Sequence, residues 1–76
     1  MFELKVKFSS VEDIEDFHKT VCNMACDVDA MKGSYVVDAK SFMGLLTMDW
    51  SVPITIIVHS QDSSLRKEFE RFVWED

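Results

Sequence analysis

The segment that says most about the architecture of this chain is Asp38-Ala39-Lys40-Ser41-Phe42-Met43-Gly44-Leu45-Leu46-Thr47-Met48. Ser41 stands where a short helix would begin, because a serine side chain at that position accepts a hydrogen bond from an unpaired amide of the first turn. The large apolar side chains after it would hold the helix against a core. A phosphoryl group on Ser41 would face the positive end of the helix dipole. The segment therefore predicts a helix that begins after Ser41 and a phosphorylation site at Ser41 itself.

The N-terminal residues predict a strand followed by a longer helix. Apolar and charged residues alternate from Phe2 to Phe8, which is typical of a strand with one face on a core. Ser9 or Ser10 can cap the next helix, and Ser9 with Glu12 has the spacing of a capping box. We expect that helix to end near Asn23 or Met24. The residues predicted to form its apolar face are Val11, Ile14, Phe17, Val21 and Cys22.

The remaining residues predict three more strands and a last helix. Alternation from Cys26 to Ala30 and the run Tyr35-Val36-Val37 indicate two strands joined by a turn over residues 31–34. A loop over residues 49–53 leads to a fourth strand from Ile54 to His59. A cap cluster at residues 62–64 begins the last helix, whose apolar face is predicted to hold Leu65, Phe69, Phe72 and Val73.

The order βαββαβα predicts an α+β fold. We expect an open-faced two-layer β-sandwich, in which three helices cover one face of a four-stranded antiparallel sheet. A chain of 76 residues is long enough for one core and no more, so residues 1–76 are predicted to be a single domain.

Charge and hydropathy limit the possible partners. Eight Lys and Arg residues stand against 14 Asp and Glu residues, which gives a net charge of −6. This charge would repel nucleic acid and anionic membrane surfaces, so neither is expected as a partner. No run of about 18 apolar residues occurs, and the first residues alternate, so we expect no membrane span, no signal peptide and a cytoplasmic protein.

His18, Cys22 and Cys26 are the residues that could suggest a metal site. They are four residues apart, so on one continuous helix they would form a stripe of three possible metal ligands. Because the helix is predicted to end before Cys26, we interpret both cysteines as reduced, partly buried thiols. A metal-binding module on His18, Cys22 and Cys26 stays open as an alternative hypothesis.

The run Lys40-Ser41-Phe42-Met43-Gly44 resembles the regulatory-serine signature of HPr, the small phosphocarrier of the bacterial sugar phosphotransferase system, in which K-S-[I/L]-M-G is usual. The predicted element order is also that of the HPr fold. In that family a dedicated kinase phosphorylates the matching serine, and the modified protein binds a transcription regulator in some bacteria. The resemblance thus implies phosphorylation of Ser41 and partner contacts through Phe42 and Met43. Some of Met43, Met48 and Trp50 are also expected to be exposed, because Met43 lies about 100° around the helix from Phe42. The predicted partner-binding surface is therefore formed by Lys40, Phe42, Met43, Met48 and Trp50.

The resemblance does not extend to the histidine that carries phosphate in HPr. That histidine lies between strand one and helix one in a G-x-H-x-R-P context. The corresponding turn here reads Phe8-Ser9-Ser10-Val11-Glu12-Asp13, and its acidic side chains would oppose a phosphoryl group. A genuine phosphocarrier of sugar uptake that uses an atypical site, His18 or His59, is the alternative hypothesis.

The sequence therefore predicts a diverged, HPr-like protein that is not an enzyme and needs no cofactor. We expect it to regulate or bind protein partners through the Ser41 helix. The resemblance implies that these partners are HPr kinase and a regulator, or other phosphotransferase-system proteins.

Overall fold

The computed structural model describes residues 1–74 and confirms the predicted α+β architecture. Four strands and two α-helices follow the order β-α-β-β-α-β along the chain, and a 3-10 helix comes after them. The strands are β1 (Phe2–Val6), β2 (Val28–Lys32), β3 (Tyr35–Asp38) and β4 (Ile54–Val58). The helices are α1 (Val11–Cys22), α2 (Phe42–Leu46) and the 3-10 helix (Ser63–Phe69). Within residues 1–74, no helix is both long enough and apolar enough to cross a membrane.

The strands form one antiparallel sheet in the order β1-β4-β2-β3. Ile56 of β4 lies between Leu4 of β1 and Ala30 of β2, and all three side chains are buried. Glu3 and Lys5, the alternate residues of β1, are exposed. Because successive side chains of a strand point to opposite faces, one sheet face packs on the helices and the other meets solvent.

Phe17 of α1 joins the helices to the sheet. Its fully buried ring lies 5.1 Å from the ring of Phe8, 5.6 Å from that of Phe69 and 5.4 Å from that of Phe72, measured between centroids. These contacts link α1 to the end of the first strand and to the C-terminal segment. The pairs with Phe8 and Phe72 are edge-to-face, a geometry that adds stability beyond the burial of their area.

The predicted apolar face of α1 is correct for its central residues and wrong at both ends. Ile14, Phe17 and Val21 are buried, but Val11 is 44% exposed and Cys22 is exposed. Val11 is the first helical residue and lies at the rim of the layer. Cys22 lies about 100° around the helix from Val21, which takes the core position.

The cap of α1 is displaced by one residue from the predicted box. Ser10 is the N-cap, and its Oγ accepts a hydrogen bond from the Asp13 amide at 3.2 Å. The carboxylate at the start of the helix belongs to Asp13 rather than Glu12, and it accepts hydrogen bonds from the amide and the hydroxyl of Ser9. The reason is that α1 begins at Val11, which makes Asp13 its third residue. The other end agrees with the prediction, since α1 ends at Cys22 with Asn23 as its C-cap.

The C-terminal segment differs most from the prediction. The helix predicted to continue to Val73 is a 3-10 helix that ends at Phe69, and Val73 instead pairs with Val6 in an antiparallel bridge. The Trp74 amide donates to the Lys5 carbonyl at 2.9 Å, which extends this pairing along β1. Residues 72–74 therefore cover part of the outer edge of the sheet.

One strand and one turn are also shorter than predicted. Strand β4 ends at Val58 rather than His59. The turn between β2 and β3 occupies only Gly33 and Ser34, where Gly33 has a φ of +61°. That left-handed backbone conformation costs little only for glycine.

Candidate functional site

The start of α2 places Ser41 as the sequence predicts. Ser41 is the N-cap of α2, with φ −93° and ψ 108°, and its Oγ accepts a hydrogen bond from the Gly44 amide at 3.1 Å. The Ser41 side chain is exposed. Its hydroxyl is therefore both a helix cap and accessible from solvent.

Gly44 allows α2 to approach the sheet closely. A β-carbon at this position would lie 3.3 Å from Ser41 Oγ and 3.3 Å from the β-carbon of Val37. Both distances are shorter than ordinary contacts. The missing side chain thus lets the first turn of α2 close on Ser41 and on β3 together.

The apolar residues of the predicted partner surface divide between solvent and core. Met43 is 72% exposed, whereas Met48 is only 4% exposed and belongs to the core. Phe42 and Trp50 are half-buried and pack against that core. Of Met43, Met48 and Trp50, some of which were expected to be exposed, only Met43 is largely exposed, because Met48 follows the end of α2 and packs into the core with Leu45. Met43 is the apolar side chain that this helix leaves in solvent.

Lys40 connects the start of α2 to the end of α1. Its Nζ donates to the Met24 carbonyl at 2.9 Å, and its backbone amide donates to Asp38 Oδ1 at 2.9 Å. A cation beside the carbonyls that follow a helix is favourably placed, because that end of the helix carries partial negative charge. Lys40 is thus held by structural contacts on both its main chain and its side chain.

His18 makes the second connection between α1 and α2. Its Nε2 lies 2.8 Å from the Lys40 carbonyl oxygen, and since a carbonyl only accepts, Nε2 carries the hydrogen. Cys22 Sγ lies 3.3 Å from the same nitrogen, and the Phe42 ring centroid lies 5.5 Å from that of the imidazole. His18 therefore positions the residue that precedes Ser41.

A shallow groove lies between α1 and α2, beside these contacts. It has a volume of about 280 Å³ and is lined by Glu15, His18, Lys19 and Phe42. Glu15 and Lys19 were not predicted as site residues. Glu15 lies three residues before His18 and four before Lys19, a helical spacing that becomes meaningful only once Phe42 is known to lie against α1.

The hypothesis of a metal-binding module on His18, Cys22 and Cys26 is wrong. Among residues 1–74 no three His, Cys, Asp or Glu side chains are grouped so that they could hold a metal ion. Cys26 lies beyond the end of α1 and is half-buried against the core. The stripe of three ligands would have required α1 to continue through Cys26.

The start of α1 is occupied by a carboxylate of the chain itself. Asp13 Oδ2 accepts hydrogen bonds from the Ser9 amide at 3.0 Å and from Ser9 Oγ at 2.7 Å. Arg71 Nη2 lies 3.7 Å from Asp13 Oδ1, and Arg71 Nη1 donates to Asp16 Oδ2 at 3.0 Å. The Ser9 hydrogen bonds, helped by the charge of Arg71, hold the pKa of Asp13 below its ordinary value. This end of α1 therefore already contains the anion that its amides and dipole favour.

His59 directly follows β4 and pairs with an acid. Its Nε2 is 2.9 Å from Asp29 Oδ2, and both side chains are partly exposed. The two arginines of the chain serve other contacts, since Arg71 binds acids of α1 and Arg66 lies over the Phe2 ring at 4.7 Å. A phosphoryl group on His59 would therefore meet a carboxylate.

A comparison with solved structures finds the same architecture in another protein. The crystal structure of HPr-C-His from Thermoanaerobacter tengcongensis superposes with a TM-score of 0.80 over 96% of this chain and 91% of that chain, at 17% sequence identity. No family model matches the sequence, and a search of curated proteins finds no match either. This chain therefore has an HPr-like fold.

Proposed function

We propose that this protein is a non-enzymatic, HPr-like phosphotransferase-system protein that binds protein partners through the surface around α2 and is regulated by phosphorylation of Ser41. The observation that carries the proposal is the position of the Ser41 hydroxyl. It is exposed at the start of α2, and the next turn presents Met43 to solvent. Phe42 and the groove beside His18 border the same surface.

A phosphoryl group at Ser41 would change the charge of this surface more than its structure. The first turn of α2 contains no acidic residue to repel it, and phosphorylation adds about −1.5 to −2 charges at neutral pH. The side chain of Lys40 is bound to the Met24 carbonyl, so the charge would not be neutralised by the adjacent lysine without breaking that bond. A partner that carries basic side chains would therefore bind the modified and unmodified forms differently.

The surroundings of α1 and of both histidines favour regulation over phosphate transfer. The turn before α1, where HPr carries its histidine, holds the Asp13 carboxylate and no histidine. His18 uses Nε2 to bind a carbonyl, and His59 lies against Asp29. Phosphorylation of His18 at Nε2 would break its bond to the Lys40 carbonyl, and the Asp29 carboxylate would oppose a phosphoryl group on His59.

The test is incubation with ATP and HPr kinase, followed by intact-mass and peptide analysis. We expect one phosphoryl group on Ser41, lost in Ser41→Ala. Ser10→Ala is the matched control, because Ser10 is also an exposed N-cap serine and its removal costs similar cap energy without touching the proposed site. Absence of modification while the kinase modifies an ordinary HPr, or modification that persists in Ser41→Ala, would contradict the proposal.

A second measurement addresses the phosphocarrier hypothesis directly. The protein is incubated with phosphoenolpyruvate and the first enzyme of the system, and acid-labile phosphate is measured. We expect none. Acid-labile phosphate that disappears in His18→Ala or in His59→Ala would instead identify that residue as a carrier.

A further inference from the structure

A second, larger groove separates α1 from the 3-10 helix. Its volume is about 510 Å³, which lies within the range of small-molecule sites. The groove begins at the C-terminal turn of α1 and ends along the 3-10 helix. It contains neither Ser41 nor any other residue of α2 and shares only Lys19 with the groove beside His18, so the rest of its lining lies apart from the surface proposed above.

The two walls of the groove carry opposite charges. A 3-10 helix has about three residues per turn, so Asp62, its N-cap, lies in one row with Leu65 and Glu68. The opposite wall is the last part of α1, where Lys19 and Asn23 are four residues apart and share a face. One wall therefore offers two carboxylates, and the other offers an ammonium and an amide.

The groove also has an apolar floor. Met24 is buried, and Cys26 and Leu65 are half-buried against the core. These side chains leave an apolar surface at the bottom of a cleft whose rims are polar. Such a combination is typical of sites in which an apolar group is buried and polar groups fix its orientation.

The charges on the walls do not neutralise each other. The ion pairs within residues 1–74 are His59 with Asp29 and Arg71 with Asp13 and Asp16, so none includes Lys19, Asp62 or Glu68. Asp62 accepts hydrogen bonds from the Ser64 amide and hydroxyl, and these bonds hold the pKa of Asp62 below its ordinary value. Its carboxylate is therefore charged at neutral pH.

We propose that this groove binds a free amino acid with an apolar side chain. The ligand's ammonium would bind Glu68, and its carboxylate would bind Lys19 and Asn23. Its side chain would lie on the floor formed by Met24, Cys26 and Leu65. A zwitterion bridges both walls, whereas a simple cation or anion of the same size satisfies only one of them.

The proposal is tested by titrating the ¹⁵N-labelled protein with L-leucine and following its amide resonances. Two analogues provide matched probes: 4-methylpentanoate lacks the ammonium, and isoamylamine lacks the carboxylate. We expect saturable shifts within residues 19–26 and 60–68, and about fivefold weaker binding for each analogue, as for one partly exposed ion pair. No saturable shift with leucine, or equal affinity for all three probes, would overturn the proposal.

Charge-removing variants of the exposed wall residues give the sharper result. Glu68→Gln is expected to weaken leucine binding about fivefold and to leave binding of 4-methylpentanoate unchanged, because that probe has no ammonium. Lys19→Gln should weaken the binding of leucine and leave the binding of isoamylamine unchanged, because that probe has no carboxylate. Glu70 and Lys67 are exposed and lie outside the groove lining. Glu70→Gln and Lys67→Gln should therefore leave the binding of all three probes unchanged. A variant that weakens all probes equally would refute the assigned contacts, and the result is independent of whether Ser41 is phosphorylated.

Discussion

Replacing Asp13 by asparagine should reveal how strongly the first turn of α1 depends on its own carboxylate. Asp13 Oδ2 accepts two hydrogen bonds from Ser9, at 3.0 and 2.7 Å, and the side chain is only 28% exposed. Asparagine keeps an acceptor oxygen but loses the charge. A hydrogen bond to a charged group contributes about 1 kcal/mol more than a neutral one, and the helix dipole adds a few tenths. With allowance for solvent, we expect a loss of about 1.5 kcal/mol in the free energy of unfolding.

This loss is measurable as a change in melting temperature. Unfolding entropy is about 2.1 cal/mol/K per residue, so a chain of 76 residues has about 0.16 kcal/mol/K. A loss of about 1.5 kcal/mol therefore lowers Tm by about 9 °C. Circular dichroism melts at neutral pH, with both proteins at the same concentration, measure this difference.

The pH dependence of the same difference identifies its cause. The pKa of Asp13 is lower in the folded protein than in the unfolded chain. Its contribution is therefore fully present above the unfolded pKa of about 3.9 and is lost as the pH falls through the folded value. We expect the two Tm values to converge in that acidic range. Asp49 and Asp62, whose pKa values are also lowered, titrate in both proteins and cancel in the difference.

Glu12→Gln is the matched control for Asp13→Asn. Glu12 lies in the same turn and has the same charge, but only Asp13 accepts hydrogen bonds from Ser9. The control should change stability by no more than about 0.5 kcal/mol, which is the effect of the dipole alone. Equal losses for both variants, or an undiminished Asp13→Asn difference in strong acid, would refute the assigned hydrogen bonds.

Three further substitutions test the core, the β2–β3 turn and the cap of α2 by denaturant unfolding. Phe17→Ala removes the ring that contacts three other phenylalanines and should cost about 3–5 kcal/mol, enough to leave much of so small a protein unfolded. Gly33→Ala should cost about 1–2 kcal/mol, because φ is +61° there. Ser41→Ala should cost about 1 kcal/mol. A change of less than half the expected size in any of these would contradict the contact assigned to that residue.

The architecture could be predicted because its signals are local in the sequence. Alternation from Phe2 to Phe8 and the spacing of Ile14, Phe17 and Val21 each determine which face of one element is apolar. Caps are equally local, since a serine meets an amide only three residues away. These features are sufficient to order the elements and to place Ser41 at the start of α2.

The largest errors lie where distant parts of the chain compete with a local pattern. Val73 fits a helical face in the sequence, but its backbone pairs with β1, and sequence spacing does not report that a strand edge is available. Met48 belongs to the predicted partner-binding surface, yet its side chain packs into the core just after α2 ends. The contacts of Lys40 with Met24 and of His18 with Lys40 join residues 16 and 22 positions apart, so no periodic pattern could indicate them.

The two capped α-helices of this protein differ in what their first turns contain. At α1 the Asp13 carboxylate already accepts hydrogen bonds from the Ser9 amide and hydroxyl. A phosphate that approached this turn would therefore be repelled by a negative charge and would find these donors occupied. At α2 the cap is the exposed Ser41 hydroxyl, and the first turn has no acid. A phosphate could therefore be added covalently at α2 with less repulsion than it would meet when passing through the start of α1. This contrast supports the proposal that phosphate acts as a signal attached to α2 rather than as a group relayed from α1.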